Sequence, residues 1–310
     1  DACPFKVEFA DFIRELRIGR DDYADVRGGI IRLYARKQAA SKTPMSWKVR
    51  HGWLDKSLEV NGSSEIAVFA GCLALFDAIS GPSCEESFGG MAKAAVRLLN
   101  RLGVSPIVLE DERCCGRDLF DIGEREAFEA LARHNVAEIG KSKAKKVLTI
   151  CPECAFTLKD TYAKSLGEMP FEVQHISEYL AKSIDALDFR TGEERFAFHD
   201  PCYLCRYLGV SEAPRKILAA LSSRKPVELD RTGSAAPCCG AGSWVNHGPH
   251  TRTAVDERLK EAARCGADVL VTACPKCTLL YSEVSPACSW KQSPVVARDL
   301  ITLAAARLKE

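Results

Sequence analysis

The sequence predicts an α/β fold of two pseudo-symmetric lobes, each a short parallel sheet flanked by helices, preceded by a helical N-terminal arm. Apolar runs of strand length alternate with segments of helical periodicity, and parallel strands need such crossover connections. The cysteines follow one order twice: a single residue, an adjacent pair and a C-x-x-C motif. We therefore expect the arm over residues 1–60 and the lobes over residues 61–190 and 191–310.

The N-terminal arm is predicted to be helical. Residues 7–16 have the apolar spacing of an amphipathic helix, and residues 20–60, rich in Arg, Lys and Trp, indicate a connecting helical segment. The first apolar run of strand length starts only at residue 65. The arm should therefore lie outside both sheets.

The first lobe should contain three strands, each followed by a cysteine group. Strands are predicted over residues 65–70, 106–109 and 146–150, and helices over residues 91–102 and 124–139. Parallel sheets of this kind bind ligands at the carboxyl ends of their strands. The cysteines that follow the strands are therefore candidate ligands of one site.

The second lobe repeats this order. Strands are predicted over residues 195–199, 227–229 and 268–272, and helices over residues 213–221 and 251–265. The step from Cys114 to Cys238 nearly equals the step from Cys151 to Cys274. A repeat of this length exceeds the solenoid range and indicates a duplicated domain.

Composition excludes several classes of partner. The 310 residues carry 43 basic and 42 acidic side chains, a formal net charge of +1, so no basic field attracts nucleic acid. No apolar run reaches the roughly 20 residues of a membrane helix, and a secretory leader is not recognisable. We expect a cytoplasmic protein that meets a membrane only through a partner.

The 15 cysteines point to metal binding. Zinc prefers four ligands in a tetrahedron, whereas each half offers five thiols, two of them sequence neighbours that more easily reach different irons of one cluster. Structural zinc and disulfides remain as alternatives. The first set is Cys72, Cys114, Cys115, Cys151 and Cys154, and the second set is Cys202, Cys238, Cys239, Cys274 and Cys277.

These motifs resemble the cysteine-rich CCG domains of heterodisulfide reductase catalytic subunits over about residues 65–310. They read Gly71-Cys72, Cys114-Cys115-Gly116, Cys151-Pro152-x-Cys154, His199-Asp200-Pro201-Cys202, Cys238-Cys239-Gly240-Ala241-Gly242 and Thr272-Ala273-Cys274-Pro275-x-Cys277. Similar tandem domains occur in iron–sulfur subunits of anaerobic metabolism and in flavoprotein-linked or quinone-linked assemblies.

The resemblance implies a noncubane [4Fe–4S] cluster in each five-cysteine set, the two clusters together cleaving a small-molecule disulfide. It also implies partner subunits, namely a flavoprotein, a ferredoxin-like protein or a membrane quinone-reactive module. Two functions stay open: a catalytic subunit that reduces a disulfide or similar substrate, and an electron-transfer subunit that relays electrons. Beyond the clusters, no residue is assigned a catalytic role.

Four residues are predicted to support the clusters without binding metal. Gly116, Gly240 and Gly242 would let the backbone pass close to a cluster, with plain turn geometry as the alternative. His199 is expected to donate a hydrogen bond to the cysteine turn rather than to act as a ligand.

Two residues depart from the family pattern: Tyr203 and Cys205, which is either a sixth thiol or a small buried side chain. Arg117 follows the first cysteine pair where the second pair has Ala241, and it either attracts an anionic substrate or pairs with a nearby acid. Trp244 and His247 either wall the site or belong to the core. Cys84, Cys265 and Cys288 fit neither set and are expected to be structural.

A separate prediction concerns Cys3. Cys3-Pro4, followed by a helical stretch, resembles the last Cys-Pro of a ferredoxin-type motif and the helix behind it. Cys3 would then bind a further [4Fe–4S] cluster, and the chain would begin inside a ferredoxin-type domain. A chance pair is the alternative.

Overall fold

The computed structural model describes residues 9–19, 29–44, 46–80, 87–242, 249–284 and 295–309. In these ranges, helices surround two separate parallel sheets, and a helical segment precedes the first sheet. The predicted α/β fold class is thereby confirmed. Every helix in the described ranges is too short or too polar to span a lipid bilayer.

In its described residues the N-terminal arm contains three helices, α1 (Phe9–Arg17), α2 (Ile30–Ala40) and α3 (Trp47–His51). The helix predicted over residues 7–16 is found as α1. The guanidinium of Arg14 lies 4.3 Å above the ring of Phe120 and so attaches α1 to the first lobe. Helix α2 turns buried Ile31 and Ala35 towards the same lobe.

The first sheet has four parallel strands in the order β2 (Ile107–Val108), β1 (Ile66–Phe69), β3 (Lys146–Thr149) and β4 (Glu172–His175). Strand β1 pairs with β3 in the register Ala67 to Val147. The predicted strands at 65–70, 106–109 and 146–150 are present, whereas β4 is not among the predicted strands. This additional strand forms an edge next to β3.

Seven helices cover the first sheet, and together they form the first lobe. They are α4 (Leu73–Ile79), α5 (Phe88–Arg101), α6 (Arg117–Asp121), α7 (Arg125–Ser142), α8 (Pro152–Phe156), α9 (Tyr162–Leu166) and α10 (Ile176–Lys182). Ser87 caps α5 by accepting a hydrogen bond from the Gly90 amide, and Pro152 starts α8, where no amide is needed. A π-helical turn over Thr157–Thr161 joins α8 to α9.

The second sheet has three parallel strands in the order β5 (Phe196–His199), β6 (Val269–Thr272) and β7 (Val296–Asp299). The strand predicted over residues 227–229 is wrong as a strand, because only one bridge pairs Val227 with Ala197. The next side chain, Glu228, is exposed and forms an ion pair with Arg215 at 2.8 Å. Extending the strand through this residue would therefore bury no apolar side chain. Strand β7 is not among the predicted strands.

The second sheet is covered by three helices in the described residues: α11 (Glu212–Leu221), α12 (Pro249–Arg264) and α14 (Leu300–Ala306). A further helix, α13 (Pro275–Val284), follows β6. With the sheet they form the second lobe. The predicted helices at 213–221 and 251–265 correspond to α11 and α12. A π-helical turn over Tyr203–Tyr207 follows β5.

One apolar core runs through both lobes. It contains buried side chains of the first lobe such as Val68 and Leu98, and side chains of the second lobe such as Phe196 and Leu300. Helix α5 packs on α14 and α10 packs on α11, so helices of the two lobes contact each other directly. A second core cluster, with Phe69 and Val147, covers the other face of the first sheet.

Candidate metal centre

The patterned cysteines gather at the carboxyl ends of the strands. Cys72 comes after β1, Cys151 after β3, Cys202 after β5 and Cys274 after β6. The loops that hold the two adjacent cysteine pairs follow β2 and the Val227 bridge. Because parallel strands end at one edge of a sheet, the fold brings the members of each set together.

The thiols of the first set form a row of neighbours. The Sγ atoms of Cys72 and Cys114 lie 3.2 Å apart. Cys115 is hydrogen-bonded to both Cys114 and Cys154, and Cys154 is also hydrogen-bonded to Cys151. Except for the half-buried Cys72, these thiols are buried.

The second set repeats the row. The Sγ atoms of Cys277 and Cys239 lie 3.1 Å apart. Cys238 is hydrogen-bonded to Cys202 and Cys239, and Cys277 is hydrogen-bonded to Cys274. Cys238 is exposed and Cys202 is half-buried, so this row reaches the surface at its far end.

The two rows meet. Cys151 and Cys274, the first cysteines of the two C-x-x-C motifs, are hydrogen-bonded to each other across the lobe boundary. Both thiols are buried. All ten patterned thiols therefore form one continuous string, with the two sets joined at its middle.

Three thiols in the string have a lowered pKa because neighbouring thiols donate hydrogen bonds to them. Hydrogen bonds from Cys114 and Cys154 hold the pKa of Cys115 well below its usual range, and bonds from Cys154 and Cys274 do the same for Cys151. Bonds from Cys202 and Cys239 lower the pKa of Cys238 to about 2. The partner thiols Cys114, Cys154 and Cys274 have raised pKa values, because they donate these hydrogen bonds.

Polar side chains fix the backbone of the first cysteine pair. The Asn135 side chain accepts from the Arg113 amide at 2.7 Å and donates to the carbonyl of Cys114 at 3.1 Å. The Tyr162 hydroxyl donates to the carbonyl of Cys115 at 3.0 Å. Both side chains are buried, and their hydrogen bonds hold the backbone of Cys114 and Cys115 in place.

Two of the predicted supporting glycines occupy crowded turns. Gly116 has φ 81°, and a Cβ there would lie 2.9 Å from the ring of Phe128. Gly240 has φ 96°, and a Cβ there would lie 2.8 Å from Thr251. Turn geometry and close packing thus require glycine at both positions. Among the described residues, none lies within 4 Å of a Cβ placed on Gly242. The close approach of all three glycines to a cluster stays a prediction.

His199 has hydrogen-bond partners other than the predicted cysteine turn. Arg258 Nε donates to its Nδ1 at 3.2 Å, and the Tyr281 hydroxyl lies 3.1 Å from the same atom. Burial, with Arg258 as a second cause, lowers the pKa of His199 to about 3. Arg258 is also buried, and Glu261 pairs with it at 3.0 Å.

A cleft over the second set is lined by side chains of both lobes, including Glu153, Cys202, Tyr203 and Lys276. Lys276 Nζ lies 2.6 Å from both Asp118 Oδ1 and Glu153 Oε2. The ring of Tyr203 stacks on Tyr207 with centroids 4.9 Å apart. The cleft wall is therefore charged on one side and aromatic on the other.

Arg117 and Cys205 have definite surroundings. Arg117 pairs with Asp121 at 2.5 Å and lies 5.1 Å from the Tyr203 ring centroid, so the ion-pair alternative for Arg117 is confirmed. Cys205 is buried, and burial followed by Asp200 raises its pKa. Cys3, Cys84, Trp244, His247 and Cys288 lie outside the described residues.

Sequence reasoning misses several supporting side chains. Glu153 and Lys276 occupy the variable position of the two C-x-x-C motifs, where their opposite charges are the only signal that could have revealed them. Nothing in the sequence distinguishes the other supporting side chains from ordinary polar helix residues; they are Asp118, Asn135, Tyr162 and Arg258.

The donor set fits a polynuclear iron–sulfur group. The thiols follow one another in pairwise contact, so each set can present sulfur to several metal atoms. In the part of the chain that the structure describes, no three His, Cys, Asp or Glu side chains are arranged around a single metal ion.

A family model and known proteins resemble this chain. The model described as "CCG: Cysteine-rich domain" matches residues 66–159 and 196–280. One subunit of the dihydromethanophenazine:CoB–CoM heterodisulfide reductase from Methanosarcina barkeri is 36% identical over 84% of this chain and 63% of that protein. EtfAB:quinone oxidoreductase from Syntrophomonas wolfei is 26% identical over 95% of this chain and 43% of that protein.

The chain thus spans 43 to 63% of the length of these two relatives. Among solved structures, a hypothetical protein from Helicobacter pylori superposes with a TM-score of 0.54 at 13% identity, covering 91% of this chain and 58% of that chain. That likeness concerns the fold alone.

Proposed function

Since the chain belongs to the CCG cysteine-rich domain family and is a homologue of a heterodisulfide reductase subunit, we propose that this iron–sulfur redox protein holds two noncubane [4Fe–4S] clusters. The first set binds one cluster and the second set binds the other. Together they reduce a disulfide or a similar small molecule within a multi-subunit complex. The continuous string of ten thiols carries this proposal.

Such clusters, when bound, each supply one electron, and a sulfur–sulfur bond needs two for its cleavage. Glu153, Tyr203 and Lys276 line a narrow cleft beside the second set, where the two lobes meet. The buried thiols and the apolar core behind them exclude water from the inner side.

Metal analysis tests the proposed clusters. Protein purified without oxygen should contain two four-iron clusters in the CCG region, measured as iron and acid-labile sulfide. Cys115→Ser and Cys239→Ser should each lose one cluster, because each removes a thiol from the middle of its row. Cys265→Ser, outside both sets, is the matched control and should keep both. One cluster or none in the wild type would contradict the proposal.

Disulfide titration tests the proposed reaction. Addition of a disulfide substrate to the reduced protein should produce a substrate-dependent paramagnetic signal in electron paramagnetic resonance. Absence of any such signal with a panel of disulfides would reject the reductase role.

A second candidate function is electron relay between a flavoprotein or quinone module and another oxidoreductase. The similarity to EtfAB:quinone oxidoreductase over 95% of the chain favours it. A relay should reoxidise with a quinone analogue or an electron-transfer flavoprotein and stay silent with disulfides. In either role the partners are other redox subunits, through which the chain would also meet a membrane.

The further [4Fe–4S] cluster at Cys3 is part of the same proposal. It would be an entry point for electrons from a ferredoxin-like partner. Cys3→Ser in the longest natural chain should remove one cluster and leave the two in the CCG region. Unchanged iron in that variant would mean that Cys3-Pro4 is a chance pair.

A further inference from the structure

The two C-x-x-C turns pack against each other at the centre of the thiol string. Cys151 and Cys274, the first residues of the two turns, are hydrogen-bonded across the lobe boundary. Pro152 and Pro275 start the helices that follow, so both turns are fixed to rigid elements. The two cysteine sets therefore meet at these two turns.

A buried charge cluster ties the same two turns together. Lys276 of the second turn lies 2.6 Å from Glu153 of the first turn and 2.6 Å from Asp118 of α6. The Lys276 side chain is 6% exposed, and the side chains of Glu153 and Asp118 are each 9% exposed. Since the cation comes from the second lobe and both carboxylates come from the first, every ion pair in the cluster crosses the lobe boundary.

The other contacts between the lobes are less directional. Helices α5 and α14, and helices α10 and α11, meet through the common apolar core. Apolar packing is non-directional, so these contacts stabilise the interface without defining the position of individual polar groups. A buried ion pair is different, because moving its members apart leaves desolvated charges without compensation.

We propose that Lys276, with Glu153 and Asp118, is a positioning group that fixes the distance between the two cysteine sets and so sets the electronic coupling of the clusters they hold. The inference rests on the proposed function for the presence of both clusters. Lys276 acts here through the turns, and the proposal assigns it no contact with substrate.

Charge reversal tests the positioning role. With both clusters reduced, electron paramagnetic resonance should show a splitting from their magnetic interaction, which falls steeply with distance. Lys276→Glu places three carboxylates together, and repulsion should drive the turns apart and abolish the splitting. The double variant Glu153→Lys with Lys276→Glu restores one cation between two carboxylates and should recover the splitting.

Lys260→Glu is the matched control. Lys260 also lies between two carboxylates, Asp256 at 2.6 Å and Glu257 at 3.5 Å, but all three belong to α12. Its reversal should leave the splitting as in the wild type. Lys276→Arg, which keeps the cation, should do the same.

The outcomes separate this inference from the proposed function. Iron analysis of the wild type reports on the clusters, and comparison of equally loaded variants reports on the positioning group. An unchanged splitting in fully loaded Lys276→Glu would overturn the inference. If Lys276→Glu does not fold, the double variant Glu153→Lys with Lys276→Glu decides the question. A wild-type splitting in this double variant supports the positioning role, and a fully loaded double variant without the splitting refutes it.

Discussion

His175 links the two C-x-x-C turns through neutral hydrogen bonds. Its Nε2 lies 2.9 Å from the carbonyl of Ile150, and its Nδ1 lies 2.7 Å from the Ser177 hydroxyl. The backbone of Ala273, next to Cys274, also bonds to the ring. Burial lowers the pKa of His175 to about 4, so the folded protein holds the ring neutral at ordinary pH.

This shift predicts a pH dependence of stability. The unfolded chain binds a proton at His175 below about pH 6.5, whereas the folded chain does so only below about pH 4. The stabilisation is therefore complete above the unfolded pKa and is lost as the pH falls between these values. His175 should account for about 1.4 kcal/mol of lost stability between pH 7.5 and 5.5.

Denaturant unfolding at the two pH values, with His175→Asn as comparison, checks this expectation. The variant should be less stable at pH 7.5 and should show a smaller loss on acidification. An equal pH dependence in both proteins would contradict the assigned shift.

Gly116→Ala should destabilise the protein through the backbone of the cysteine turn. The new Cβ would lie 2.9 Å from the Phe128 ring. The left-handed backbone conformation at this position costs a residue with a Cβ about 1–2 kcal/mol in addition. Gly140→Ala in α7 has open space and should be neutral or slightly stabilising. Thermal unfolding compares the two, and equal midpoints would be the contrary result.

At the residue scale, the sequence identifies the thiols better than their surroundings. The ten patterned cysteines follow from spacing alone, because the order repeats. The partners of His199 do not follow, since Arg258 and Tyr281 lie far along the chain and only folding brings them to the ring. Ligation by the individual cysteines stays a prediction.

Among the elements, most strands are predictable, but β4 and β7, each at one edge of its sheet, are not. Strands β1, β3 and β6 are apolar runs buried along most of their length. Strands β4 and β7 read Glu172-Val-Gln-His and Val296-Ala-Arg-Asp, with every second side chain exposed or half-buried. Such short mixed runs resemble loops, and only pairing with a neighbouring strand defines them.

Strand β7 ends in the N-cap of α14. The Asp299 carboxylate accepts from the amides of Ile301 and Thr302, both at 2.9 Å, and is almost wholly buried. Asp299→Ala should cost about 1–2 kcal/mol, because two helix amides lose their acceptor. Asp299→Asn keeps an acceptor and should cost less. Denaturant unfolding ranks the three proteins, and an alanine variant as stable as the wild type would refute the cap.

The two lobes share one core, although the sequence suggests two units. The domain bounds expected from the repeat, residues 61–190 and 191–310, stay a prediction. Sequence patterns mark where apolar faces occur and do not state which faces meet. The contact between α5 and α14, and the meeting of Cys151 with Cys274, are therefore beyond reach from sequence.

A continuous core predicts one cooperative unfolding transition. Leu98→Ala, in the shared core, should lower the free energy of unfolding by about 2–5 kcal/mol and shift tryptophan fluorescence and far-ultraviolet circular dichroism together. Leu33→Ala, at an exposed position of α2, should change little. Two separated transitions, with only one moved by Leu98→Ala, would show that the lobes unfold independently.

The opposite charges at the variable position of the two C-x-x-C motifs bear on the ancestry of the chain. In a symmetric homodimer of single lobes, each residue on the twofold axis would face its own copy, so Glu would meet Glu or Lys would meet Lys. The pair of Glu153 with Lys276 needs two halves that mutate separately. Divergence of the two duplicated halves thus had to come before this contact, and the charge pair records that order.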